Sequence, residues 1–313
     1  MAKLNFDRVK ESPRLCIKSN MDDDYGAICS NDEYFIIYCQ SSGFTLIDKE
    51  GHEQKLNTKH DFPVIGIRWS SYLQKFLVLS GDNDHKLYLL DPIKQKLKMI
   101  KNFGENRPTD VWTCYEKTLL IVTQRSYRLI EMYRLPSLST TDDDELIIKS
   151  LEQPIEILTP SIVWGKIDQI RELCFSHDGK YLALVSYYLD DSAGRPEEED
   201  WLQLFAFQHD GEGNKILKRH TYPTLTAGSC VLALPEEKYL TNNAYSRKHL
   251  LILVDYSETA EPNNIDESDP SDRQKWFVKE TDYDTQNTVS EISICGNCLA
   301  IKTSDKEICF YDL

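Results

Sequence analysis

VIGIRWSSYLQKFLVLSGDNDHKLYLLD, Val64 to Asp91, decides the fold. An alternating apolar segment meets a short turn, a strongly apolar strand follows, and a polar loop leads to a third strand ending in Leu90-Asp91. Short runs rich in Val, Ile, Leu, Tyr and Phe, punctuated by Gly, Asn, Asp and Ser, are the signature of strands joined in hairpins.

The unit recurs. AICSNDEYFIIYCQSSGFTLID runs from Ala27 to Asp48, and DVWTCYEKTLLIVTQRSYRLIEMYRL starts at Asp110. QIRELCFSHDGKYLALVS starts at Gln169 and resumes after an insertion with DWLQLFAF. SCVLALPEEKYLTNNAYSRKHLLILVD ends at Asp255, and VSEISICGNCLAIKTSDKEICFYDL closes the chain. A fourth strand follows most third strands: HEQKLN after Asp48, QKLKMIK after Asp91, NKILKRH in the fourth unit and KWFVKE in the fifth. Four antiparallel strands repeated in this way are the pattern of propeller blades. The expected fold class is all-β: one domain over residues 1–313, a closed β-propeller of six four-stranded blades, with seven as the alternative. The chain stops after a third strand, so the strand-like segment at residues 14–19 is expected to complete the last blade and remove its open edge. Acidic insertions are expected near 137–166, 190–200 and 257–273. The first of these is read as a fourth strand with a long connection or as a divergent seventh blade.

The units resemble the WD-repeat family. Phe175 to Ser186, FSHDGKYLALVS, is similar to that family's turn between first and second strands, and Leu90-Asp91 and Tyr311-Asp312 stand at its Trp-Asp position. No unit carries the family's Gly-His pair before a first strand, since Gly51-His52 precedes a fourth strand. Blade stability is therefore expected to rest on apolar packing between sheets.

Composition narrows the function. Hydrophobic residues make up 41% of the 313 residues, enough for a sizeable core. Net charge is −15, which repels phosphate backbones and anionic lipid, so no nucleic acid and no membrane partner is expected. No run of 18 apolar residues occurs, and the charged start MAKLNFDRVKESPRL lacks the apolar stretch of a secretory signal. The nine cysteines, an odd number scattered through apolar runs, read as reduced, buried small hydrophobes of a cytoplasmic or nuclear protein.

The chemical motifs are sparse. Cys295-Gly-Asn-Cys298 has a redox or metal spacing, yet Gly-Asn is turn chemistry and no second pair accompanies it, so it reads as a hairpin with incidental cysteines. Asp142–Glu145, Glu197–Asp200 and Glu258–Arg273 read as solvated acidic loops, the last carrying Ser268 and Ser271 beside carboxylates. Asp22-Asp23-Asp24 lacks the alternation and Gly of a calcium loop. No nucleophile elbow or Gly-rich phosphate loop occurs, and Ser176-His177-Asp178-Gly179 continues with Lys-Tyr-Leu rather than as an aspartate box. No cofactor, metal or catalytic residue is assigned. The expected function is a non-catalytic protein-interaction scaffold. The alternative is a propeller enzyme of metal-dependent lactonase or glycosidase type, with carboxylates converging at a central channel. The candidate partner site is a set of Tyr and Arg in connections that follow second strands: Arg125, Tyr127, Tyr187, Tyr188, Tyr245 and Arg247.

Overall fold

The computed structural model describes residues 4–18, 27–81, 85–104, 108–123, 130–137, 144–158, 167–190, 197–209, 214–226, 230–236, 238–243, 250–255, 279–284, 289–303 and 307–313. Its contacts divide the chain into two compact units, Met1–Thr159 with Ser290–Leu313, and Pro160–Val289.

Five blades are built from four consecutive antiparallel strands. In the first unit, blade 1 holds β2 (Ala27–Ser30), β3 (Tyr34–Cys39), β4 (Gly43–Asp48) and β5 (Glu53–Lys55). Blade 2 holds β6 (Val64–Ser70), β7 (Lys75–Ser80), β8 (Lys86–Asp91) and β9 (Lys96–Asn102). Blade 3 holds β10 (Pro108–Tyr115), β11 (Thr118–Thr123), β12 (Ile130–Arg134) and β13 (Glu156–Leu158), with the helix α1 (Asp144–Ser150) between its last two strands.

The remaining sheet of that unit is composite. Strands β22 (Val289–Cys295), β23 (Cys298–Thr303) and β24 (Glu307–Asp312) take β1 (Leu15–Lys18) as their fourth, and β1 pairs antiparallel with β24 from Leu15↔Phe310 to Lys18↔Glu307. The second unit carries blade 4, with β14 (Ile167–Phe175), β15 (Tyr181–Asp190), β16 (Glu197–His209) and β17 (Asn214–Thr226). Blade 5 follows, with β18 (Val231–Leu234), β19 (Lys238–Asn243), β20 (Leu250–Asp255) and β21 (Lys279–Asp284).

These sheets correct the expected blade count. Five blades are four-stranded runs of consecutive chain, not six or seven, and the further sheet is assembled from both ends of the sequence. The stretch that raised the seventh blade supplies α1 and the short β13, which pairs with β12 as the fourth strand of blade 3.

Second strands carry the longest apolar runs because they have a strand on either side and packing on both faces. KFLVLS of β7 and TLLIVT of β11 are buried at every position. Alternation then sorts β7 between two cores: Phe76 and Val78 pack with Tyr38 and Phe44 of blade 1, while Leu77 and Leu79 pack with Trp112 and Ile121 of blade 3.

Several local readings change. The acidic run Glu197–Asp200 is not a loop: it forms the start of β16, paired with the end of β15 from Tyr187↔Asp200 to Asp190↔Glu197. Extension of the β15–β16 hairpin overrides the low strand preference of Glu and Asp there. Asp144-Glu145 opens a helix, and the fifth fourth-strand lies at Lys279–Asp284, overlapping only the end of KWFVKE. The Asp22–Asp24 triplet and the run from Glu258 to Arg273 lie outside the described residues.

The cysteine reading changes as well. Cys16 and Cys309 face each other across β1 and β24 with Cα atoms 4.3 Å apart, and they form a disulfide. Directly opposed residues of an antiparallel pair come within bridging distance, a juxtaposition that spacing in the sequence cannot reveal. The other seven cysteines form no disulfide among the described residues.

Candidate interaction surface

The aspartates that end third strands have a local task. Asp48 Oδ1 accepts from the backbone N–H groups of Glu50 and His52, and Asp91 Oδ1 accepts from those of Ile93 and Lys94. Each carboxylate thereby closes the turn into a fourth strand. In β24 the equivalent Asp312 lies 3.5 Å from Arg14, which leads into β1. The Phe175–Ser186 turn is held by Ser176, whose Oγ donates to Asp178 and accepts from the Tyr181 N–H, with Gly179 at φ 71°.

The sequence-derived partner site is not assembled by the described structure. Arg125, Tyr127, Tyr245 and Arg247 lie outside the described residues. Tyr187 and Tyr188 fall in β15, opposite Asp200 and Glu199, and not in a connection.

Cys295 and Cys298 flank the β22–β23 hairpin, with Gly296 at φ 62°. Both are buried. Burial pushes the Cys295 thiol up to about 11 and also raises Cys298, against the lowering effect of Arg14 on the latter. Thiols held protonated are poor nucleophiles and poor metal ligands. Two groups of residues cluster at metal-ligand distances among the described residues. Cys16, Glu307 and Cys309 include the disulfide, and Asp48, Glu50 and His52 form the exposed turn just described, with His52 Nδ1 2.8 Å from Asp48.

A different surface emerges between the outer strands of blades 2 and 3. The pairing Asp91↔Lys96 and Leu89↔Lys98 puts Lys96 and Lys98 on the face of β9 that continues Leu77 and Leu89, the face turned toward blade 3. The pairing Trp112↔Ile121↔Glu131↔Ile157 puts Ile157, and two residues earlier Ile155, on the face of blade 3 turned toward blade 2. α1 packs between them.

Ile147 on α1 and Leu151 just past its end are fully buried in the core shared by blades 2 and 3. At the start of the helix Asp144 lies 3.0 Å from Lys98 and 3.5 Å from Lys75. Burial works to raise the Asp144 carboxyl, but the Lys98 and Lys75 ammonium groups outweigh it and hold the group below the usual carboxylate range. At the other end Lys101 Nζ donates to the carbonyl of Leu151 and lies over the rings of Phe103 and Tyr133.

What remains outward is unusual in composition. The five large hydrophobics most exposed among the described residues, Ile93, Met99, Leu146, Ile155 and Ile157, all come from the outer parts of blades 2 and 3. Met99 faces away, being paired with Tyr88 of the blade 1 core. Leu146 (41% exposed) lies on the helix itself, and Ile155 (53%) and Ile157 (56%) follow it in the chain. At the start of the helix a shallow, open depression is lined by Lys75, Lys94, Lys96 and Lys98 against Asp91 and Asp144. A protein of net charge −15 thus gathers four ammonium groups against two carboxylates next to exposed isoleucine.

This surface was partly visible in the sequence. The alternation of Lys94, Lys96 and Lys98 marks a strand, but alternation also puts its lysines on one face. The helix had a signal too: Asp144-Glu145 in a first turn, Ile147 and Leu151 four apart, and Lys149 in the last turn.

No family model matches the chain, and no curated protein matches it. Solved structures do. A chain of the "Crystal Structure of Mitotic Checkpoint Complex" superposes at a TM-score of 0.56 with 12% identity, covering 100% of this chain and 97% of that one. The β-propeller domain of Myceliophteria thermophila Cps50 (Swd1) gives a TM-score of 0.48 at 12% identity, covering 92% of this chain and 82% of that one. Together with the blade topology, the first of these makes the fold a WD-repeat-like β-propeller.

Proposed function

We propose that this protein is a non-catalytic scaffold that binds a protein partner through the outer face of blades 2 and 3. The observation that carries the reading is that, among the described residues, the most exposed large hydrophobics lie on the outer parts of blades 2 and 3, where a lysine-lined depression also opens. Apolar side chains left in water beside a charged rim are the usual makeup of an interaction surface. The fold supports the same reading, because a propeller presents rigid sheets whose outer strands and connections vary independently of the core. A chain of a multiprotein complex shares that fold.

The experiment is affinity capture from native extract, at low and at moderate salt, with the wild-type protein and an Ile155→Asp, Ile157→Asp variant. A stoichiometric partner retained by the wild type and lost by the variant is expected. The same partner recovered at equal yield with the variant overturns this surface as the site. A bait that returns no protein but carries a bound small molecule or metal overturns the scaffold reading itself.

A further inference from the structure

The scaffold reading leaves the chemistry of the partner open, and on that reading the face between β9 and β13 limits it sharply. Lys96 and Lys98 stand two residues apart on one face of β9, a spacing of about 7 Å along a strand. Lys94 precedes them in the turn, and Lys75 closes the depression from β7. Asp144 is the carboxylate that both Lys75 and Lys98 share, and the lining as a whole counts four lysines against two aspartates. Across α1, Ile155 and Ile157 repeat the two-residue spacing with apolar side chains. Rows of opposite character, each with the period of an extended chain, match a ligand in which carboxylates and apolar side chains alternate.

We propose that the face formed by β9, α1 and β13 is the docking site of an extended acidic segment of a partner protein. Its carboxylates would meet Lys94, Lys96 and Lys98, and its alternate apolar residues would cover Leu146, Ile155 and Ile157. Charge complementarity selects this occupant: the chain as a whole is strongly acidic and repels such a segment, whereas this face gathers lysines. The attraction is screened by salt, whereas the apolar contacts are not.

The test is fluorescence anisotropy on the full chain with a labelled synthetic peptide of about ten residues alternating Glu and Leu. A Glu/Ser peptide of equal charge is the comparison, and inorganic phosphate the competitor. Saturable binding of the Glu/Leu peptide is expected, weakened about tenfold or more by Lys96→Glu and, independently, by Ile157→Asp, and weakened further as salt rises. Thermal unfolding of each variant checks that the fold persists. Equal binding of the Glu/Ser peptide, or binding unchanged in both variants, overturns the proposal in favour of unspecific charge attraction. Displacement by millimolar phosphate with no effect of Ile157→Asp overturns it in favour of a simple anion site. If neither peptide binds while capture still yields a partner that the Ile155→Asp, Ile157→Asp variant loses, the acidic-segment assignment falls and the scaffold reading stands.

Discussion

Gly66 on the first strand of blade 2 lies against the indole of Trp112 on the first strand of blade 3. A β-carbon at that position would sit 2.9 Å from Trp112 Nε1. Trp112 is fully buried, its Nε1 finds no hydrogen-bond partner among the described residues, and Arg68 stacks 5.8 Å from its ring. The indole has nowhere to retreat without displacing core side chains of both blades. Gly66→Ala is therefore expected to destabilise the protein by about 1–3 kcal/mol, read as a lower midpoint in thermal unfolding. A midpoint unchanged from wild type would mean that this contact is looser than it looks. The aromatic content of the strands was legible in the sequence; the absence of a Cβ opposite one particular Trp depends on register between blades, which no single segment encodes.

At the scale of elements, the two ends of the chain meet in one sheet, and β1 has only four residues with which to hold β24. The Cys16–Cys309 disulfide adds a covalent link across 293 residues of sequence. Linking such distant positions restricts the unfolded chain, and its loss is expected to cost about 2–4 kcal/mol. Thermal unfolding with and without a thiol reductant, and of Cys16→Ser without it, should show the same drop in midpoint. Equal midpoints in all three samples would show that backbone pairing alone keeps β1 in place. The strand itself was foreseeable, because RLCIKS is strand-like and the chain ends one strand short. The disulfide was not, since scattered cysteines in odd number point to reduced thiols until the register opposes two of them.

The strand pattern was the most readable level, because buried second strands such as KFLVLS leave no other reading. Acidic segments were the least readable. Glu197–Asp200 and Asp144-Glu145 carry charges that suggest solvated loops, yet the β15–β16 hairpin recruits the first into β16, and Lys75 and Lys98, distant in sequence, pin the second. The proposed surface escaped for a related reason: Ile157 and the lysines of β9 are about 60 residues apart in the chain, and only the register of two sheets puts them on the facing sides of blades 3 and 2.

For the whole molecule, a partner bound as proposed must cover the outer face of blades 2 and 3 and leave the other outer strands as they were. Hydrogen–deuterium exchange on the captured complex, compared with the free protein, measures this directly. The account predicts slowed exchange confined to 93–101 and 144–158, with β5 unaffected. Protection elsewhere, with those two segments exchanging as fast as in the free protein, would contradict it.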